Sequence, residues 1–193
     1  MGRPLYLHQP YVFVFLAAGV VLATREALVR RYLGGERPTD DTNSFVVLWV
    51  ATGVGTTTAL LVPFTGVATM PAPVLSFWLG LAIMLAGFLL RLAALRWLGT
   101  LFSHRVAVRP DHRVVEGGPY RFVRHPSYTG AVVTYLGIGV ACGNWVSIVA
   151  AVAGALVGFA YRIRVEEQFL RRELDGYETY AEETPYRLIP LVW

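Results

Sequence analysis

Lysine is absent from this chain, and all 17 positively charged side chains among its 193 residues are arginine. Charge of either sign is sparse, at 16% of residues against 55% hydrophobic ones, a balance that suits one small integral membrane domain and argues against a soluble one. The net charge of +4 then reads as a basic rim facing anionic headgroups rather than a nucleic-acid surface. Cysteine is nearly absent too: Cys142 stands alone, which excludes an internal disulfide and a thiolate metal cluster and leaves the redox compartment unread. The chain has no GxGxxG fingerprint, GxxxxGK[ST] loop, HExxH helix or GxSxG elbow. Any cofactor is therefore not held by a Rossmann turn, and no metal-ligating set is read. Internal repeats and low-complexity segments are missing as well.

Four apolar blocks are present, at residues 11–23, 45–63, 74–95 and 128–161. The first has Ala17, Ala18 and Gly19 inside the apolar stretch rather than after it, and is expected to be an uncleaved span, not a signal peptide. The last block carries no charge over 34 residues, which as one helix would be about 51 Å long against a hydrocarbon core of about 30 Å. It must turn, and Gly143-Asn144 near its middle is the place. The expected fold is therefore an all-α integral membrane protein with five transmembrane helices, the last two forming a helical hairpin. Its arms of about 15 and 17 residues reach only roughly 23 to 26 Å, so their flanking polar residues enter the membrane edge and must be buried in protein there.

Arginines other than Arg3 follow the first span, lie between Arg91 and Arg124, or follow Tyr161, and all 13 carboxylates fall on the same side. This asymmetry sets the amino terminus outside and the carboxyl terminus in the cytosol, for which a prokaryotic plasma membrane is expected. After Trp145 a long helix should leave the bilayer, break at Asp175-Gly176 and end in a short amphipathic tail stopped at Pro185. The alternating residues between Gly99 and Tyr120 suggest a small β-like cap. Organisation is that of a single membrane domain, 1–193, with three spans in 1–97 and a cofactor-binding half in 98–193.

The polar residues cluster in two places. One is His112, Arg113, Val114 and Val115 with Gly118, Tyr120, His125, Pro126, Ser127 and Tyr128; the other is Tyr161 to Glu167, in which Arg162 and Glu166 stand one helical turn apart. The hairpin folds the second against the first. Each member also has a plain reading. Arg124, Arg162 and Arg164 snorkel to phosphates, as do Arg91 and Arg96; His125 caps the helix that Pro126 begins; Tyr120 and Tyr128 belong to an interfacial belt; Glu166 and Glu167 form a solvated face. Gly154 and Gly158 allow close helix packing. Taken singly, none supports a function, whereas both charge signs and two aromatics converging at membrane depth point to a site.

The stretches HRVVEGGPYRFVRHPSYTG, GNW, YRIRVEEQFL and TPYRLIP, in this order over the second half of the chain, resemble the isoprenylcysteine carboxyl methyltransferase family, and particularly its small prokaryotic members. One element departs: Leu174-Asp175-Gly176-Tyr177 is a residue shorter than the FGxxY of that family. The resemblance implies a membrane methyltransferase using S-adenosylmethionine on a lipophilic acceptor, an isoprenylcysteine-like or lipid carboxylate. It implies that His112, Arg113, Val114 and Val115 hold the cofactor largely through backbone groups, and that Gly118, Tyr120, His125, Pro126, Ser127 and Tyr128 complete its pocket. Glu166 is then a cofactor contact and a catalytic residue, Glu167 the second acidic member, and Arg162 the group that meets the substrate. Methylation of a phospholipid amine, a sterol-type reductase using a nicotinamide cofactor, and a noncatalytic membrane scaffold are the alternatives. Oligomeric state is left open.

Overall fold

Most helix boundaries among the described residues fall within a few positions of a proline, an asparagine or a glycine. The computed structural model describes residues 4–20, 42–99 and 114–193. A short helix, α1 (Tyr11–Val20), is followed by α2 (Thr42–Leu61) and by α3 (Pro73–Leu98), which starts on a proline whose missing N–H is no loss in a first turn. Helix α4 (Pro126–Ala141) starts the same way. Helix α5 (Trp145–Glu173) begins on Asn144, and α6 (Tyr177–Glu183) follows Gly176, which takes the left-handed conformation at φ 81° that lets the chain turn between α5 and α6. No strand occurs among the described residues. The expected β-like cap falls mostly on residues outside them, as do the end of the first apolar block and His112 and Arg113.

The expected hairpin forms where Gly143 and Asn144 allow it. Asn144 is fully buried, its Oδ1 accepts the Val146 and Ser147 N–H groups at 2.9 and 3.1 Å, and its Nδ2 donates to the Val67 carbonyl at 2.6 Å. The uncharged loop after α2 is thereby stitched over the turn, with Met70 N donating to Gly143 O at 2.8 Å and Trp145 N to Ala68 O at 3.0 Å. Segments 43–65 (Asn43–Thr65), Pro73–Leu98 and Trp145–Glu173 are long and apolar enough to cross a membrane. Helix α4, with 16 residues, rises only about 24 Å.

Packing runs α3 on α4, α4 on α5 and α5 on α2, with small residues at each seam. A Cβ placed on Gly80 would lie 2.3 Å from Ala141 N, and one on Gly137 would lie 2.5 Å from Met84 N, so α3 and α4 meet backbone to backbone. Between α2 and α5 the contact is Gly55 against Gly154, with Gly158 against Leu48, the close packing read for these glycines. Helix α1 lies against α3 through Tyr11, whose ring meets Phe77 edge-on with centroids 5.0 Å apart. Because Gly80 faces backbone and Gly53 faces open space, the two should respond oppositely to a methyl group. Gly80→Ala is expected to cost about 2 kcal/mol by overpacking, whereas Gly53→Ala should be neutral or stabilising by up to about 1 kcal/mol, measured as unfolding free energies in detergent.

Candidate functional site

The amino-terminal end of α4, the last turns of α5 and the tail after α6 meet around one carboxylate. Glu167 is buried, and its Oε1 accepts from Arg124 Nε at 2.7 Å and from His125 Nε2 at 3.2 Å, while Oε2 accepts from Arg187 Nε at 2.9 Å. Since a carboxylate can only accept, His125 donates to it through Nε2. Arg124 Nη1 reaches on to the carbonyls of Ala181 and Thr184 at 3.2 and 2.7 Å, the open carbonyl end of α6, where a cation is favoured. The tail is bound by backbone as well: Arg124 N donates to Tyr186 O and His125 N to Arg187 O, both at 2.9 Å, and Thr129 Oγ1 donates to Leu188 O at 2.7 Å.

Beside this hub stands a second set. The Tyr128 ring stacks on His125, centroids 5.5 Å apart and planes within 5°, and lies 5.0 Å from Phe159. Its hydroxyl donates to Glu166 Oε2 at 2.6 Å, and the Arg162 guanidinium neighbours the same hydroxyl. Arg162 is only 3% exposed and donates through Nη1 to Ser44 Oγ on α2 at 2.7 Å. The two polar segments therefore converge, with His125, Tyr128, Arg162 and Glu166 in continuous contact.

Several plain readings of single residues fail on this geometry. Arg124 and Arg162 are buried and bonded within the protein and do not snorkel. Arg91, read as snorkelling, donates Nη1 to Ser127 O and Oγ at 3.2 and 3.1 Å, because α3 packs directly on α4. His125 occupies the cap position of α4 but makes no side-chain cap; its ring is drawn to Glu167. Tyr120 is buried, not a belt residue at the surface. Arg164 is exposed.

The segment before α4 closes one side. Val114 packs on the buried cluster of Leu174, Tyr177, Tyr180 and Ala181, Val115 is half-buried, and Gly118 turns at φ 58° against the Trp97 ring, where a side chain would collide. Burial drives the Tyr120 hydroxyl above the usual phenol range, helped by Glu166, and its carbonyl accepts from Tyr180 Oη at 2.8 Å. Pro126 and Ser127 are buried at the start of α4. Sequence reasoning gave no role to Ser44, Tyr177, Tyr180 or Arg187. Arg187 lay within the quoted TPYRLIP, whereas Ser44, in a run of small polar residues far from the motifs, carried no signal.

Residues 78–172 match the model of the isoprenylcysteine carboxyl methyltransferase (ICMT) family. Over this segment, just under half of its length, the chain is similar to the ICMT family. It is 37% identical over 115 residues to protein-S-isoprenylcysteine O-methyltransferase of Schizosaccharomyces pombe, covering 58% of this chain and 48% of that one. It is 33% identical over 109 residues to protein-S-isoprenylcysteine O-methyltransferase B of Arabidopsis thaliana, covering 55% of each. The chain thus spans about half the length of these curated relatives. The solved structure of the eukaryotic intramembrane Ras methyltransferase ICMT superposes over 96% of this chain and 70% of its own, with a TM-score of 0.66 at 22% identity, a likeness of fold. With that fold and three helices able to span a bilayer, the chain is an integral membrane protein. The family segment contains Arg124, His125, Tyr128, Arg162, Glu166 and Glu167, while Arg187 lies beyond it.

Removing the carboxylate at the hub would leave buried Arg124 without its counter-charge. Glu167→Ala is expected to destabilise the protein by about 3 kcal/mol or more, and Glu167→Gln by less because the amide oxygen still accepts, read as a lowered Tm in detergent.

Proposed function

We propose that this chain is an S-adenosylmethionine-dependent membrane methyltransferase that methylates the carboxylate of a lipophilic acceptor, an isoprenylcysteine-like or lipid acid. The observation that carries this reading is the pairing of buried Arg162 with the Tyr128–Glu166 contact inside a segment of the ICMT family. The donor set suits the cofactor. Glu166, half-buried, is matched to a cationic amino group or to ribose hydroxyls, the rings of Tyr120 and Tyr128 to adenine or a sulfonium, and residues 112–115 to polar groups through their backbone. When bound, S-adenosylmethionine supplies an electrophilic methyl carbon on a sulfonium.

The work of the protein is alignment. An acceptor carboxylate is ionised at neutral pH, so no side chain has to remove a proton before attack. Arg162 orients that carboxylate by charge-assisted hydrogen bonds, and its own direction is fixed by Ser44 and by the neighbouring Tyr128 hydroxyl. The buried start of α4 excludes water that would compete as nucleophile and strengthens these contacts. Among the remaining residues assigned here, His125 and Glu167 hold Tyr128 and the tail in position, and Gly118, Pro126 and Ser127 shape the backbone around the pocket.

In this reading residues 1–97 supply three spans and 98–193 the catalytic half of a five-span domain, with the site on the cytosolic side of a prokaryotic plasma membrane and the amino terminus outside. A polar cofactor then enters from the cytosol while the acceptor reaches the site from the bilayer, and membrane lipid is the second partner. The experiment is incubation of purified protein with radiolabelled S-adenosylmethionine and a membrane lipid extract, with a farnesylated cysteine in parallel. A base-labile methyl ester is expected. Label on a phospholipid amine, or binding of reduced nicotinamide in place of S-adenosylhomocysteine by calorimetry, would replace this reading with one of the alternatives; binding of neither would leave a scaffold.

Arg162→Ala is expected to lower kcat/KM about a hundredfold while S-adenosylhomocysteine affinity changes little, and Glu166→Ala to weaken S-adenosylhomocysteine roughly tenfold, by calorimetry. Ser44→Ala, which leaves the arginine in place but loosens it, should cost about tenfold in kcat/KM and be partly rescued by Ser44→Thr.

A further inference from the structure

Tyr177 opens α6 directly after the left-handed turn at Gly176. Its side chain is 4% exposed, and its hydroxyl is the single buried side-chain nitrogen or oxygen without a hydrogen-bond partner among the described residues. Native proteins leave few such groups, because a phenol removed from water and given nothing in return is costly. The ring is held firmly. It meets Tyr180 edge-on with centroids 5.9 Å apart, in the cluster of Leu174, Tyr180 and Ala181, against Val114.

The hydroxyl is also well placed. Its electrostatic neighbours are the Glu167 and Glu166 carboxylates and the Arg124 guanidinium, and its ring lies in the cluster against which Val114 packs. Glu167 is not its partner: the hydroxyl makes no hydrogen bond to it, and that carboxylate is instead engaged by Arg124, His125 and Arg187. Burial first, and then these carboxylates, keep the phenol protonated and thus able to donate.

We propose that Tyr177 is a binding residue for the methyl donor, its hydroxyl completing a hydrogen bond to an uncharged polar group of the adenosine portion, a ribose hydroxyl or a ring nitrogen. The two neighbouring carboxylates disfavour the donor's own carboxylate at this position. The inference rests on the methyltransferase reading and adds to it a group in α6, outside the matched family segment.

The test is Tyr177→Phe, measured by calorimetry with S-adenosylhomocysteine and by thermal melting with and without it. Affinity should fall about five- to tenfold. The melting temperature without ligand should stay level or rise, since the substitution deletes an unpaired buried oxygen, and the gain on adding ligand should shrink. Tyr180→Phe is the contrast: its hydroxyl donates to Tyr120 O, so that variant should melt lower without ligand. Unchanged affinity in Tyr177→Phe overturns the inference, as does a lower ligand-free melting temperature with unchanged affinity. If the unsubstituted protein binds no S-adenosylhomocysteine, the methyltransferase reading itself falls and takes this inference with it.

Discussion

A carboxylate packed into the interior of a mostly apolar chain keeps its charge only where cations and donors replace the water it has lost. Glu167 meets that condition by drawing in Arg124 and His125 from the start of α4 and Arg187 from the tail, three groups that no other element of the fold brings together. The consequences extend outward from this point. Arg124, fixed by Glu167, closes the carbonyl end of α6; the backbone at 124 and 125 binds residues 186 and 187; and His125, held by its Nε2, presents a flat face on which Tyr128 stacks. Helix α4, the tail and the Tyr128 ring are therefore positioned by one ionised group.

Its neighbour in sequence does something different. Successive residues on a helix point about 100° apart, so Glu166 and Glu167 cannot share an environment. Glu167 turns into the hub, and Glu166 turns toward Tyr128 and Arg162. Of two adjacent acids, one thus binds the hub of cations and the other a tyrosine hydroxyl beside an arginine. The charge pattern alone gave both the same standing, because the direction of each side chain depends on how α5 is rotated against α4, and the sequence of α5 does not state that rotation.

The same distinction separates what could be read in advance from what could not. Gly143-Asn144 stood in the middle of an uncharged block too long for one crossing, and a capping asparagine there requires only local geometry; the hairpin and the resulting approach of His125 and Tyr128 to Arg162 and Glu166 were legible for that reason. Arg91 was not. A lone arginine near the end of an apolar helix names no partner, and its bond to Ser127 exists because Gly87 and Gly130 let α3 and α4 approach until a Cβ on either would lie 2.6 Å from the carbonyl of the other. His125 looked like a cap for an equally local reason, and a contact 42 positions away outweighed it.

Ser44 shows how far such contacts reach. Arg162 is buried on α5, and a guanidinium in that setting needs acceptors to replace the water it has lost. A serine hydroxyl accepts from the guanidinium and fixes its direction without adding a charge. The hydroxyl comes from α2, 118 residues earlier, where Gly55 and Gly154 hold α2 against α5. The amino-terminal half, which carries none of the chain's recognisable motifs, is thereby joined to the arginine of the site. Its contribution is a small neutral acceptor, supplied from a helix distant in sequence.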